Sequence, residues 1–484
     1  MSDHDHSRRD FLRSTGAAFI GLAAGRTLDD VGAAVNKAKR PNIIYIMLDE
    51  LGYFELSCMG NDKLKTPNID RIVSEGMRFT QCLAGGCVCA PTRSVLMTGE
   101  HAGHTTVRQN GGGLALRRAD ITVADILKRA GYATGGFGKW GLGDCGTTGV
   151  PELHGFDVFY GYYHQVHAHS YYPRYLLRNS VKEYLPGNTG DYYNGGTFAH
   201  DRIFEETMKF IRANSNKPFF CYCPWTPPHG LWGLPEDDPA WKLYKDKPWT
   251  AGQRRSTDSR VYAAMVNMID RQIGQILALL EELDLDKKTI LFVCGDNGGQ
   301  PYFYRGQPQK PKPKEPPFPH GFFGPNLNPK TGERFRGGKG NLYEGGLRIP
   351  FIVRWPGHIE AGSTSDHLCC FTDIMPTLAE LVDTKPAADT DGISMTPTLL
   401  GEKKAGRKQK KHKYLYWEFG SQVAVRMDNY KAVKPGRNKP FELYDLSTDI
   451  EEKINIADRH RQIVKQLAAF AQEAHTENTP GGYL

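Results

Sequence analysis

Two continuous apolar runs dominate the hydrophobic pattern of this chain. Asn42-Ile43-Ile44-Tyr45-Ile46-Met47-Leu48 and Thr289-Ile290-Leu291-Phe292-Val293-Cys294 are of strand length and lack polar alternation. Such runs suit central strands buried on both faces of a mainly parallel sheet. The first ends at Asp49-Glu50, and the second delivers Gly295-Asp296-Asn297-Gly298-Gly299. Ligands of open α/β sheets bind beyond the C-terminal strand edges, so acidic and amide oxygens stand ready at two such edges. Between the runs, strand-like and helical stretches alternate. The pattern predicts helices over Ile121–Ala130, Phe204–Ala213 and Arg260–Leu283, and strands over Ala133–Phe137 and Pro218–Tyr222. That alternation implies an α/β domain with a large, mostly parallel central sheet flanked by helices.

Residues 300–335 are rich in Pro, Gly and Lys and read as a long loop, which in a compact domain is usually functional. The basic run from Lys403 to Lys413 reads as a solvated linker. Beyond it, Tyr414–Phe419, Gln422–Met427, Tyr430–Lys434 and Phe441–Leu446 alternate as short antiparallel strands, followed by a helix from about Arg459 to Ala474. The organisation expected is therefore a leader over 1–34, an α/β domain over 41–400 and a smaller α+β domain over 401–484.

At 484 residues, with 39% hydrophobic and 24% charged residues, the chain is ordinary globular material. A net charge of +7 across 61 basic and 54 acidic residues gives no argument for nucleic acid and permits an anionic substrate. The N-terminus is more specific. Ser7-Arg8-Arg9-Asp10-Phe11-Leu12-Arg13 precedes a short, weakly apolar stretch from Gly16 to Ala24. A twin arginine in that setting reads as a Tat-type export signal, which implies a Tat translocon partner and a periplasmic or secreted protein. The stretch is shorter than the roughly 20 apolar residues a membrane span needs, so no stable membrane insertion is expected. Ten cysteines with no CxxC pair argue against a zinc site, and Cys221 and Cys223 in an apolar strand read as buried thiols.

Cys89 is different. The segment Cys89-Ala90-Pro91-Thr92-Arg93-Ser94-Val95-Leu96-Met97-Thr98-Gly99 resembles the signature of the type I, formylglycine-dependent sulfatases, whose fold is alkaline-phosphatase-like. The resemblance runs from Pro41 to Leu446. Pro41–Tyr53 looks like the family's first strand and metal-binding acidic pair, and Asp296-Asn297-Gly298 like the second pair. Gly138-Lys139-Trp140, Pro227-Pro228-His229 and Gly337-Gly338-Lys339-Gly340 resemble the segments bearing sulfate-binding side chains.

The resemblance implies that a formylglycine-generating enzyme oxidises Cys89, that Asp49, Glu50, Asp296, Asn297 and residue 89 hold a metal, and that Lys139, His229 and Lys339 bind sulfate. Arg93 would hold residue 89 and a metal ligand in place. Oxygen ligands suit calcium, with magnesium as the alternative. The expected activity is hydrolysis of an aryl or carbohydrate sulfate ester. A phosphonate monoester or phosphodiester hydrolase of the same superfamily, or a catalytically silent sugar-binding homologue, are the alternative readings.

Several positions depart from the family pattern. Glu50 replaces an aspartate, Thr92 a serine, and Glu100 stands where a basic residue is usual. Gly141 replaces the histidine of Gly-Lys-Trp-His. His169 is the first candidate to substitute for it, with His167 and His104 as others. The aromatic residues Tyr162, Tyr163, Tyr171, Tyr172, Trp225 and Trp232 read equally as a substrate wall or as packing.

Overall fold

The computed structural model describes residues 40–111, 113–192, 194–249, 258–299 and 323–484. The 1–34 leader lies outside the described residues, as does residue 300–322 of the long loop.

Sixteen strands are present among the described residues. In chain order, β1 is Asn42–Leu48, β2 Met77–Phe79, β3 Cys82–Leu83, β4 Ala133–Lys139, β5 Val158–Tyr162, β6 Tyr175–Arg178, β7 Val181–Tyr184 and β8 Phe219–Trp225. There follow β9 Thr289–Gly295, β10 Phe351–Arg354, β11 Ser363–Ser365, β12 Cys369–Cys370, β13 Leu415–Phe419, β14 Gln422–Met427, β15 Tyr430–Lys434 and β16 Glu442–Asp445. The central sheet has ten strands in the order β11-β2-β10-β9-β1-β8-β4-β5-β6-β7. Its middle, from β9 to β5, is parallel, with Leu48 paired to Trp225 on one side and Gly295 on the other. Antiparallel pairs flank it, β10 against β9 and β5 through β7. The two apolar runs of the sequence thus lie side by side, and β2, β3, β5–β7 and β10–β12 are additions the hydrophobic pattern did not single out.

Those runs are continuous because each face of the sheet is covered. Ile44, Ile46 and Leu48 enter one core layer with the long helix Ser259–Glu282, whose Val261, Met265, Ile269 and Ile276 pack there. Ile43, Tyr45 and Met47 enter the other, together with Val95, Leu96 and Met97 of the helix Cys89–Thr98. Period-two alternation of a strand sends neighbours to opposite faces, so a strand buried on both has no polar face to show.

The C-terminal sheet is the antiparallel meander β13-β14-β15-β16, with the helix Arg461–Ala474 on one face through Leu467, Phe470 and Ala474. Its other face, with Trp417, Ala424, Val433 and Tyr444, packs on Cys87, Val88, Leu342, Tyr343 and Leu347. These residues flank Cys89 and Lys339, so the small sheet backs two segments of the candidate site. Residues 42–484 form one compact unit. Among the described residues, no helix is long and apolar enough to cross a membrane.

Candidate active site

Four adjacent strands deliver side chains to one edge. β1 ends in Asp49-Glu50, β9 in Asp296-Asn297, β4 in Lys139, and β8 runs into the turn bearing His229. Backbone bonds fuse these ends: Asp49 N–H donates to the Trp225 carbonyl at 3.2 Å, and Asp296 N–H to that of Leu48 at 3.0 Å. The Glu50 N–H donates to Asp296 Oδ1 at 3.0 Å. Glu50 itself takes a φ of +66°, which a non-glycine residue adopts at a cost of about 1–2 kcal/mol.

The helix Cys89–Thr98 points its N-terminus at the same place. The Cys89 thiol donates to Asp49 Oδ1 at 3.1 Å, and Lys339 Nζ lies 3.4 Å from the sulfur. Thr92 Oγ accepts from Gly86 N–H at 2.9 Å, and Asn110 Oδ1 accepts from Ala90 N–H at 2.9 Å, so two side chains fix the start of this helix. Arg93 is fully buried one turn on. Its guanidinium donates to the Lys139 carbonyl at 2.6 Å, to Asp296 Oδ2 at 3.1 Å and to Asp49 Oδ2 at 3.4 Å. One planar fork thereby ties β1, β4 and β9 to the Cys89 helix.

Cations surround the carboxylates. Lys139 Nζ donates to Asp49 Oδ2 at 2.6 Å, Lys339 Nζ is in close contact with Glu50 Oε1, and His229 Nε2 lies 3.0 Å from that oxygen. Burial pushes the Asp49 carboxyl up, but Lys139, His229, Arg93 and Lys339 together outweigh it and hold it well below its ordinary value. Glu50 is likewise held low, burial being overcome by His229 and Lys339. Asp296 goes the other way, to about 6, because burial and the Asp49 charge outweigh Arg93 and the lysines. Burial also pushes the Cys89 thiol up to about 12. As a cysteine, residue 89 is therefore a poor nucleophile, since only the thiolate attacks.

The donor set has room for a hard cation. Asp49, Glu50, Asp296 and Asn297 offer oxygen only, and Glu50 Oε2 and Asn297 Oδ1 are buried without a hydrogen-bond partner. An orphaned buried acceptor is costly, and a bound cation would satisfy both. Asp49, Cys89 and His229 also offer ligand atoms within 4.8 Å of one another.

Of the ten site residues named from the sequence, nine are joined by contacts, His169 only through His229; Asn297 follows Asp296 at the end of β9, its Nδ2 donating to the Gly298 carbonyl at 3.0 Å. His169 stacks on His229 with ring centroids 4.6 Å apart, and burial pushes it down to about 3. His167 packs on Tyr162 and Tyr175, and His104 bonds Asp391 at 2.9 Å. Neither makes a contact with the cluster. Gly141 has a φ of +79°, and a Cβ there would overlap the Gln165 amide nitrogen. The buried Gln165 side chain thus fills the space beside the glycine. Glu100 is half-buried, with Oε2 unpartnered and its carboxyl raised to about 7 by burial and by Asp120. The six aromatic residues are all buried, as the site residues are, and Tyr171 donates to the His229 carbonyl at 2.9 Å. Gln165, Asn110 and Tyr171 carry no pattern in the sequence that marks them as supports.

The Sulfatase family profile matches residues 41–384 of the chain. The chain belongs to the sulfatase family. A second profile, N-sulphoglucosamine sulphohydrolase, C-terminal, matches residues 332–477. This sulfatase is 28% identical to an N-acetylgalactosamine-6-sulfatase of Rattus norvegicus over 92% of its length and 79% of the relative's. It is 28% identical to an N-acetylgalactosamine-6-O-sulfatase of Bacteroides thetaiotaomicron over 91% and 94% of the two chains. The structure of Ps i-CgsB in complex with k-i-k-neocarrahexaose superposes with a TM-score of 0.72 at 23% identity, covering 90% of this chain and 92% of that one. The fold is thus that of the family, and the enzyme is a sulfuric ester hydrolase.

Proposed function

We propose that this sulfatase hydrolyses a carbohydrate or aryl sulfate through a formylglycine made from Cys89, beside a divalent cation. One observation carries the reading: Cys89 Sγ sits 3.1 Å from Asp49 and 3.4 Å from Lys339, among charges arranged for an anion. A buried thiol raised to about 12 has little chemistry of its own there. Oxidised, residue 89 would supply a hydrated aldehyde as the attacking group, with Asp49 and Lys339 placed beside it. Asp49, Glu50, Asp296 and Asn297 hold the cation, calcium before magnesium, since calcium tolerates varied oxygen geometry. When bound, the cation polarises the oxygens beside it and lowers their pKa.

The other side chains have roles that follow from their places. Lys139, His229 and Lys339 bind the sulfate and stabilise charge that grows on the leaving oxygen. His229 Nδ1 lies 3.0 Å from the Gly230 carbonyl, which can only accept, so Nδ1 carries a proton and Nε2 faces the site. His229 or Lys339 protonates the departing alcohol. Asp296, whose carboxylate is fixed by Arg93 and the Glu50 N–H, accepts the proton of the attacking hydroxyl. His169, stacked on His229, is the substitute for the histidine absent at Gly141. Maturation by a formylglycine-generating enzyme, export through the Tat translocon and the division of the chain at residue 400 belong to the same proposal. The relatives named for N-acetylgalactosamine-6-sulfate favour a sulfated sugar as substrate.

The test is sulfate release from an aryl sulfate and from a 6-sulfated N-acetylgalactosamine by protein co-produced with a formylglycine-generating enzyme. Mass spectrometry of the residue-89 peptide and calorimetric calcium binding run in parallel. Release that disappears in Cys89→Ala, with calcium binding lost in Asn297→Ala, is the expected result. Turnover retained by Cys89→Ala would overturn the scheme.

A further inference from the structure

Away from this site, the strongest local charge lies between residues 403 and 413. That stretch, KKAGRKQKKHK, has seven lysines and arginines, one histidine and no acid. Its seven cations equal the +7 of the entire chain, so the remainder is formally neutral. Arg407 pairs with Glu380 at 2.6 Å, and Lys413 reaches Glu473 at 3.7 Å. Lys403, Lys408, Lys410 and Lys411 are exposed and make no ion pair among the described residues. With Lys404, whose Nζ meets only the His358 carbonyl at 3.4 Å among the described residues, five uncompensated cations in one strip repel each other and attract a polyanion.

The strip ends in a cavity of about 650 Å³ where Ser365–Leu368 meets β14. Lys411 brings to its wall an ammonium without an ion pair among the described residues, beside His367, His412, whose Nε2 lies 2.8 Å from Asp373, and the buried Arg426, which donates to Gln81 and to the Asp428 carbonyl. Ser365, Thr398 and Asn429 add neutral hydrogen-bonding groups, and Asp366 and Asp428 add carboxylate acceptors. None of the residues that converge on Cys89 lines it. That mixture suits a ligand bearing both anions and hydroxyls. Nucleic-acid surfaces stack bases on aromatic side chains, and apart from histidine no aromatic side chain lines this cavity.

We propose that the strip and cavity form a non-catalytic binding site for the sulfated chain of a polysaccharide. This rests on the reading of the enzyme as a carbohydrate sulfatase, and it adds that the substrate is polymeric. The strip retains the chain electrostatically while the cavity takes one sulfated sugar, so successive esters are presented without full release of the polymer.

The probe is immobilised dextran sulfate, with unsulfated dextran and duplex DNA as comparisons, against full-length Cys89→Ala protein so that nothing is turned over. Neutralising four phosphate-like contacts gives a slope of about 3 in log affinity against log salt, or roughly a sixtyfold loss from 50 to 200 mM salt. Lys403→Gln/Lys408→Gln/Lys410→Gln/Lys411→Gln is expected to bind dextran sulfate at least about tenfold more weakly at 50 mM salt, with a correspondingly flatter slope. In the matured enzyme the same four changes leave kcat/KM for an aryl sulfate unaltered and raise KM for the polymer. Equal binding by the variant, or equal retention on unsulfated dextran, would overturn the site. Tighter retention on DNA would overturn it in favour of a nucleic-acid surface. Aryl sulfate turnover without dextran sulfate retention sinks this inference and leaves the catalytic reading standing; salt-sensitive retention lost in the variant, even without turnover, supports the site and counts only against that reading.

Discussion

Lys431 on β15 is fully buried between two carboxylates, with Nζ 2.9 Å from Glu344 Oε1 and 3.0 Å from Glu452 Oε1. Glu344 opens the short helix that follows the Lys339 turn, and its N–H donates to Glu452 Oε2 at 2.8 Å. Lys431→Met keeps much of the volume and removes the charge. Glu344 retains Arg348 at 2.6 Å, whereas Glu452 loses the one cation paired with it among the described residues. Stranding one partner of a buried ion pair costs about 3–5 kcal/mol. Even beside Lys431, Glu452 sits at about 7, because burial and Glu344 outweigh the ammonium. Without the ammonium that lowers it, the carboxyl moves higher still, so the variant keeps a proton that the parent gives up above about 7, and the cost of the substitution grows as pH rises past that value. Denaturant unfolding should show Lys431→Met destabilised by about 3–5 kcal/mol at pH 8 and by distinctly less at pH 6. Adding Glu452→Gln removes the stranded charge and should restore roughly half of the loss. If the double variant is less stable than Lys431→Met, or if the loss is the same at both pH values, the reasoning is wrong.

Three other outcomes are expected. Arg93→Lys loses a fork that serves Asp49, Asp296 and the Lys139 carbonyl; kcat/KM should fall by about 10²–10³ with the fold intact by circular dichroism. Gly141→His places a side chain at a φ of +79° and against Gln165; it should lower thermal stability by the equivalent of about 1–2 kcal/mol, part of which Gln165→Ala restores. Asp391→Asn removes the partner of His104, whose pKa is raised by the bond to Asp391 while that of Asp391 is lowered despite burial, chiefly by His104. A raised histidine stabilises below about 6.5 and loses its effect as pH climbs past its folded value, and a lowered aspartate stabilises above about 4. The substitution should therefore cost more at pH 5.5 than at pH 8.5, read as the difference in melting temperature at each pH.

The parts of the fold that the hydrophobic pattern conveys are those with a single cause. β1 and β9 match their predicted runs within a residue, because burial on both faces leaves no freedom in composition. The helix predicted at Arg260–Leu283 is Ser259–Glu282, since one wide apolar stripe must face one layer. The helix predicted at Phe204–Ala213 begins at Ala199, five residues earlier, where His200 is buried against Gln272 instead of marking a polar start. The edge strand β7 escapes the pattern for the opposite reason: exposed, Val181-Lys182-Glu183-Tyr184 has no buried face to impose alternation.

The candidate site divides along the same line. Asp49, Asp296 and Lys139 are legible because strand ends fix them in the chain as well as in space, and Cys89 and Arg93 because they share one turn of helix. What shapes them is not local. Gly340 is held by Gln422 at 3.0 Å and by Cys87 at 2.9 Å, 82 and 253 residues away in sequence, and both contacts bend the turn that brings Lys339 to Cys89. Gln165 stands 24 residues from the glycine it crowds. Such partners are chosen by the closing of the fold and need only a donor or acceptor of the right reach, so residue type and spacing give them no signature. The lysine that meets Cys89 is visible in its glycine-rich turn; the C-terminal sheet that sets the turn's height is visible only once Trp417, Val433 and Tyr444 are seen packed behind it.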